Sequence, residues 1–286
     1  MDLSGVGVWS HHLRFGDPAE AGEAAAELEE LGFRALWVPD VGGALFADVE
    51  RLLTATREVT VATGILNLWM HSPADTAAAY ASLTGEHGER FLVGIGVSHA
   101  PLIDSKEPGR YRKPLTAMRT FLDGLDEATP PLPVESRVLA ALGPKMVETA
   151  ASRSRGVHPY LVPPEHTREV REALGDGPLV LPEQTAIFAA TREEAKAIGA
   201  SWLRSYLDLP NYARNVLRLG FSEDEVAQIS DRLFDALIVW GDDESIRKRI
   251  DEHRAAGADH VCIQVLTADQ QGFPRAEWRR LAAALG

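Results

Sequence analysis

Residues 61–69 read VATGILNLW. Val61, Ile65 and Leu66 are apolar and largely β-branched, and no charge interrupts the run, which predicts a buried strand. Gly64 sits inside it. Glycine in a strand interior forfeits packing and adds backbone freedom that folding must remove. Its presence marks either a neighbouring side chain that needs the space or a backbone feature that a Cβ would obstruct.

The same alternation runs outward from this strand to both ends of the chain. Upstream, GVGVW (5–9) reads as a strand. Residues 17–33 read as a helix, with Asp17 as N-cap, Pro18 in the first turn and Gly32 as its stop. ALWV (35–38) is a second strand, and residues 45–56 form a second helix. Downstream, SPADTAAAYASLTGEHG (72–88) repeats the Pro-led helix start, and FLVGIGV (91–97) is strand four. Residues 98–113 read as a polar loop, long enough to suggest a task. Next come a helix at 114–127, a strand at 137–142, a helix at 143–154, a strand at 156–162, a helix at 164–174 and strand seven at 178–189. Residues 191–256 are strongly helical, with capping boxes at Thr191/Glu194 and Ser222/Glu225. Strand eight (259–266) and a helix (274–285) close the chain. Strands separated by helices must cross over and run parallel. Eight strand–helix units predict a (β/α)8 barrel with a helical insertion at about 191–256 between strands seven and eight. A doubly wound sheet is the alternative. Nothing in the composition reads as a linker, so one domain is expected over residues 1–286.

With 286 residues and 45% hydrophobic content, the chain can bury a sizeable core. The net charge of -13 disfavours a nucleic-acid partner. Any anionic ligand would need local basic groups or backbone donors. Cys262 is the one cysteine, so no disulfide and no zinc spacing can arise within one chain, and no metal is expected. It reads as a small buried hydrophobe. No apolar run reaches membrane-spanning length, and a soluble cytoplasmic protein is expected.

In a barrel of this type, function lies at the C-terminal strand ends. These ends offer Trp9, Ser10, His11 and His12, then Asp40, Asn67, Trp69, Ser98 and His99, and beyond them Gly143, His158, Tyr160, Glu183, Gln184 and Thr267. Each has a structural alternative. His11 and His12 fit a solvated loop, Asp40 a turn after Pro39, Gly143-Pro144 a plain helix start, and Trp9 and Trp37 barrel filling.

Several segments together carry a family resemblance: ALWVPD (35–40), TGILNLWMHSP (63–73), RFLVGIGVSHAPL (90–102), ALGPKMVETAA (141–151), HPYLVPPEHT (158–167), LPNYARNVLRLGF (209–221) and AGADHVCIQVL (256–266). In order and spacing the chain resembles the luciferase-like flavin and deazaflavin oxidoreductases, more narrowly the subgroup that uses coenzyme F420. The resemblance implies a bulge at the end of strand three with a non-prolyl cis bond, here Gly64–Ile65, behind the cofactor ring. It places Asp40 and Asn67 by the ring system, and Gly96, Val97 and Ser98 in the turn that flanks the cofactor. Gly143, Pro144, Lys145 and Met146 match the phosphate-binding turn. Exposed N–H groups and the helix dipole favour an anion there, with donors expected from Lys145 and Met146 onward, since Pro144 has no N–H.

The implied chemistry is hydride transfer at the deazaflavin C5 to or from a small organic substrate. His99 is the first candidate for the proton partner, in place of the carboxylate that some deazaflavin enzymes use, with His11, His12 and Glu183 as further candidates. An FMN-dependent monooxygenase on the same fold, or a non-catalytic relative that binds a flavin or deazaflavin, are the alternatives. Arg110, Arg112 and Lys113 either attract the glutamate tail of the deazaflavin or form a solvated charge run. The family's habit of pairing and the alanine-rich segment 73–82 imply a homodimer.

Overall fold

Local signals set the helix ends. In the computed structural model, which describes residues 1–286, Asp17 Oδ1 accepts from the N–H groups of Ala19 and Glu20, both at 3.0 Å, and starts the helix Pro18–Glu30. Ser72 accepts from Asp75 N–H and starts Pro73–His87. Both expected capping boxes are present, at Thr191/Glu194 and Ser222/Glu225. Pro114–Glu127 and Pro164–Leu174 also form as read.

The strands are β1 (Gly5–Trp9), β2 (Ala35–Val38), β3 (Thr60–Thr63), β4 (Leu66–Asn67), β5 (Phe91–Gly96), β6 (Arg137–Leu139), β7 (Gly156–Val157), β8 (Leu179–Val180), β9 (Glu183–Phe188), β10 (Ile238–Gly241) and β11 (His260–Val265). All pairings are parallel, in the order β10-β9-β11-β1-β2-β3-β5-β6-β7-β8, with β4 beside β5. The fold is therefore α/β around a parallel sheet. Only Leu181 and Pro182 separate β8 from β9. On one side of this segment Leu181 N–H and Glu183 N–H donate to Val157 O and Pro159 O. On the other, Asp259 N–H and Cys262 N–H donate to Val180 O and Pro182 O.

Four readings are corrected. Strand three breaks into β3 and β4 around Gly64–Ile65. Strand seven breaks into β8 and β9, because Pro182 has no N–H to give the ladder. Glu183 and Gln184 therefore open β9 and are buried within the sheet instead of standing at a strand end. The 191–256 insertion is not wholly helical: after Arg192–Leu207, Pro210–Arg218, Glu223–Gln228 and Asp231–Leu237 comes β10, which pairs with β9 from Ile238↔Thr185 to Gly241↔Phe188. The expected loop 98–113 contains the helix Ala100–Lys106.

Side chains alternate across the strands, as the pleat requires. Val61, Leu36 and Val38 join the large cluster between sheet and helices. Ala35, Trp37, Ala62, Leu92, Val138 and Cys262 form a separate cluster on the opposite face. There His158 stacks on Trp37 at 4.2 Å, and Trp37 Nε1–H donates to His260 Nε2 at 3.2 Å. Trp37 and Cys262 thus fill this face of the sheet. The insertion has its own cluster, which includes Leu203, Tyr212, Phe234 and Ile238. No helix is long and apolar enough to cross a membrane.

Candidate active site

The site begins where β3 ends. The peptide Gly64–Ile65 is cis. Trp9 Nε1–H donates to Gly64 O at 2.8 Å. A Cβ on Gly64 would come within 2.7 Å of Trp9 Nε1 and 3.1 Å of His158 Nε2. Both readings of this glycine therefore hold: it precedes the cis bond, and it admits two side chains. Beyond it, half-buried Ile65 lies across Gly96, where a Cβ would meet Ile65 Cγ1 and Cδ1 at 2.6 Å. Asn67 is buried, and its Oδ1 accepts from Trp69 N–H at 3.2 Å. Its Nδ2 is sealed and has no partner.

Asp40, just past β2, is the hub of this side. Its Oδ1 accepts from Arg14 Nη1 at 3.0 Å and from Gly42 N–H at 3.1 Å. Its Oδ2 accepts from Asn67 N–H at 3.1 Å and from His71 Nε2 at 2.8 Å. The Arg14 and Asp40 side chains are both 0% exposed. Burial alone would raise the Asp40 carboxyl. The hydrogen bonds from His71 and Asn67, with the charges of His71 and Arg14, outweigh it and hold Asp40 below the usual range. Asp40 is thus more than a turn cap, and its four acceptor positions are filled from within the chain.

The opposite side is aromatic. Tyr160 hydroxyl lies 2.5 Å from Gln264 Oε1 and 3.1 Å from Tyr206 hydroxyl. Trp9, Tyr160, Tyr206 and Trp202 follow one another at ring separations of 5.3, 5.4 and 4.7 Å. His99 packs on Tyr212 at 5.4 Å. Behind them lies Glu183, which accepts from Leu161 N–H at 3.0 Å and from Thr185 hydroxyl at 2.7 Å. Burial, only partly offset by these bonds, pushes its carboxyl up to about 7. Its charge in turn raises the hydroxyls of Tyr160, Tyr206 and Tyr212, already raised chiefly by burial.

The remaining candidates are dispersed around this end of the sheet. His99 Nδ1 lies 3.2 Å from Asn211 Oδ1, and burial lowers its imidazole. His11 rests on His12 at 3.8 Å, and burial followed by the charge of His12 lowers it to about 4. Ser98 has a left-handed backbone, and Val97 O accepts from Trp69 Nε1 at 2.7 Å. Gly143 caps the helix Pro144–Arg153 without a side-chain bond, and a Cβ there would meet open space. Met146 N–H, one of the expected anion donors, is already taken by Gly143 O at 3.1 Å, whereas Lys145 N–H has no partner. Arg110 is committed to Glu107 and to Trp69 O.

A cleft of about 600 Å³ opens beside the Asp40 hub. Its walls are Gly42, Gly43, Trp69, Met70, His71, Ser72, Ile103, Lys106, Glu107 and Arg110. Sequence reading passed over His71 and Arg14, because both earn their place from Asp40, far away in the chain. It also passed over Tyr206, Asn211 and Tyr212, which the insertion brings to the site. The signal available for His71 was its position between Trp69 and the Ser72-Pro73 helix start, at a strand end.

The family profile described as luciferase-like monooxygenase matches residues 1–260. A Mycobacterium tuberculosis protein, assigned by name as a coenzyme F420-dependent oxidoreductase, is 22% identical over 323 positions, covering 88% of this chain and 92% of its own. An F420-dependent secondary alcohol dehydrogenase, solved with an F420–acetone adduct, superposes with a TM-score of 0.75 at 15% identity over the whole of both chains. The FMN-bound oxygenating constituent of 3,6-diketocamphane monooxygenase from Pseudomonas putida superposes at 0.72 with 14% identity, covering 99% of this chain and 96% of its own. With the profile spanning most of its length, the chain belongs to the luciferase-like monooxygenase family.

Proposed function

We propose that this chain is a coenzyme F420-dependent oxidoreductase that moves a hydride between the deazaflavin C5 and a small organic substrate. The observation that carries the reading is Asn67. A buried amide donor with no partner calls for an acceptor, and this one stands at the end of the broken strand, two residues from half-buried Ile65. An apolar side chain beside an unsatisfied donor suits a flat ring with a carbonyl edge. The F420 assignment of the mycobacterial relative and the F420-bound structural neighbour favour the deazaflavin.

In this reading Gly64 and Ile65 support the ring, Asn67 donates to its edge, and Gly96, Val97 and Ser98 flank it. Gly143, Pro144, Lys145 and Met146 form the phosphate turn, with Lys145 N–H as the available donor. Asp40 acts by fixing Asn67 and His71. When bound, the cofactor supplies the carbon that gives or takes hydride. The aromatic wall of Trp9, Tyr160 and Tyr206 would screen a ring held there from water. His99 can serve the proton: with Nδ1–H given to Asn211 Oδ1, its Nε2 is left as a base. His11 lies apart beside His12, and Glu183 is sealed behind the tyrosines.

We further read the sheet as a (β/α)8 barrel in one domain, with β8 and β9 as one strand. The helix Pro73–His87, whose Ala74 and Ala78 are exposed, would pair two cytoplasmic protomers. A 31.1 kDa species in sedimentation at micromolar concentration would contradict the pairing. The proposed cofactor is tested by purifying the protein from a host that makes both cofactors and taking the spectrum and mass of what accompanies it. A deazaflavin is expected. Bound FMN would favour the oxygenase reading, which the family description and the Pseudomonas putida neighbour support.

A further inference from the structure

His71 is set up differently from every other histidine near the cleft. Its Nε2 is 2.8 Å from Asp40 Oδ2, an acceptor, so Nε2 carries a proton, and in the neutral ring Nδ1 carries the lone pair. Nδ1 makes no hydrogen bond. The sealed, unpartnered imidazole nitrogens of the chain are on His87, His158 and His166, so His71 Nδ1 is unbonded and reachable. The side chain is 15% exposed and lines the 600 Å³ cleft. Its carboxylate partner is itself immobilised by Arg14 and Gly42 N–H.

Asn67 N–H and His71 Nε2 meet the same oxygen of Asp40. The imidazole is therefore held against the end of the broken strand. His99 also has a fixed tautomer, but its partner is a neutral amide. An amide orients an imidazole, whereas a carboxylate both orients it and stabilises the imidazolium formed when it takes a proton. Phe46 packs edge-on against His71 at 5.3 Å and limits rotation of the ring.

We propose that His71, oriented by Asp40, takes the proton in preference to His99, and that the cleft admits a hydroxyl-bearing substrate whose O–H is directed to Nδ1. The inference rests on the preceding functional reading for the fate of the hydride. In oxidation the substrate C–H and O–H bonds break and a C=O bond forms. The proton goes to Nδ1, and a bound deazaflavin would take the hydride. In the reverse direction the imidazolium returns the proton to the substrate oxygen. Asp40 is the positioning residue and keeps its negative charge throughout.

The cofactor-free protein provides the test. Nitrogen NMR of 15N-histidine-labelled protein should show His71 as the Nε2–H tautomer. Diethyl pyrocarbonate, which attacks an unprotonated nitrogen, should modify His71 faster than His99, because the carboxylate fixes Nδ1 as the bare nitrogen and the side chain lines the cleft. Asp40→Asn should remove that advantage. Because this variant can unfold, the tautomer of the unaltered protein is the primary measurement. An Nδ1–H tautomer, or faster modification of His99, overturns the proposal. Added F420 should shield His71 from the reagent. F420 that binds without shielding His71 also overturns it. Failure of F420 to bind at all overturns the cofactor reading and leaves the tautomer result intact.

Discussion

Two buried carboxylates face each other in kind and differ in behaviour. Asp40, after β2, receives four hydrogen bonds, one from a guanidinium and one from an imidazole, and is held ionised. Glu183, at the start of β9, receives two from neutral groups and stands behind three tyrosines, and its carboxyl is pushed up to about 7. Burial is common to both. The partners decide whether the proton stays: the Arg14 guanidinium and a dense set of donors overcome desolvation at Asp40, and neutral donors do not at Glu183. One rim of the site is thus permanently charged, and the other is neutral or charged according to pH.

Removing the carboxylate of Asp40 gives the largest expected effect. Asp40→Ala leaves Arg14 buried without its counter-charge and should cost about 3–5 kcal/mol, read as a lower denaturant midpoint. An unchanged midpoint would mean that Arg14 finds water or Asp48 suffices. Glu183→Gln tests the other rim. Glutamine can still accept from Leu161 N–H and donate to Thr185. The folded protein holds the Glu183 proton more tightly than the unfolded chain. Its stabilising contribution is therefore complete below about pH 4.5 and lost as pH rises through about 7. The variant should be more stable than the parent at pH 8, by about 3 kcal/mol on the scale of 1.36 kcal/mol per pKa unit. A difference independent of pH would contradict the account.

Two smaller effects refine the picture. Burial, countered only in part by carbonyl partners, lowers His158 to about 4 and His260 to about 3. Between these values and the ordinary 6.5 the unfolded chain takes up protons that the folded one refuses. Stability should therefore fall as pH drops below 6.5, by about 2 kcal/mol for each at pH 5. Unfolding midpoints in Glu183→Gln read this acid limb without the Glu183 titration, and His253 and His11, also lowered by burial, add to it. Gly64→Ala puts a methyl 2.7 Å from Trp9 Nε1 and should cost about 1–3 kcal/mol by overpacking. It should also alter tryptophan fluorescence, and a silent substitution would mean that Trp9 moves freely.

What could be read in advance follows the range of the interactions. Asp17, Ser72, Thr191 and Ser222 cap helices through bonds spanning three residues or fewer, so their motifs announced the elements. The stretch after Leu237 becomes β10 where it meets β9, and its local signal, Ile238-Val239-Trp240 before Gly241, is only four residues long among helices. The break in strand seven had a local signal in Pro182, whereas the burial of Glu183 depends on which neighbour each half of the strand meets. Within the site, Asp40, Asn67 and the bend at Gly64 were accessible from position and resemblance. His71 was not, since its meaning comes from a carboxylate 31 residues away. Tyr206 and Asn211 lie in an insertion whose docking no short-range pattern encodes.

A ring-binding site at the end of β3 is open to a fluorescence titration of cofactor-free protein with F420 and with FMN at fixed salt. F420 should bind saturably and more tightly than FMN, with Asn67→Ala weakening F420 by about 1–3 kcal/mol through loss of a buried donor while the fold is retained. Tighter binding of FMN, or F420 binding indifferent to Asn67, would contradict the deazaflavin reading of this site.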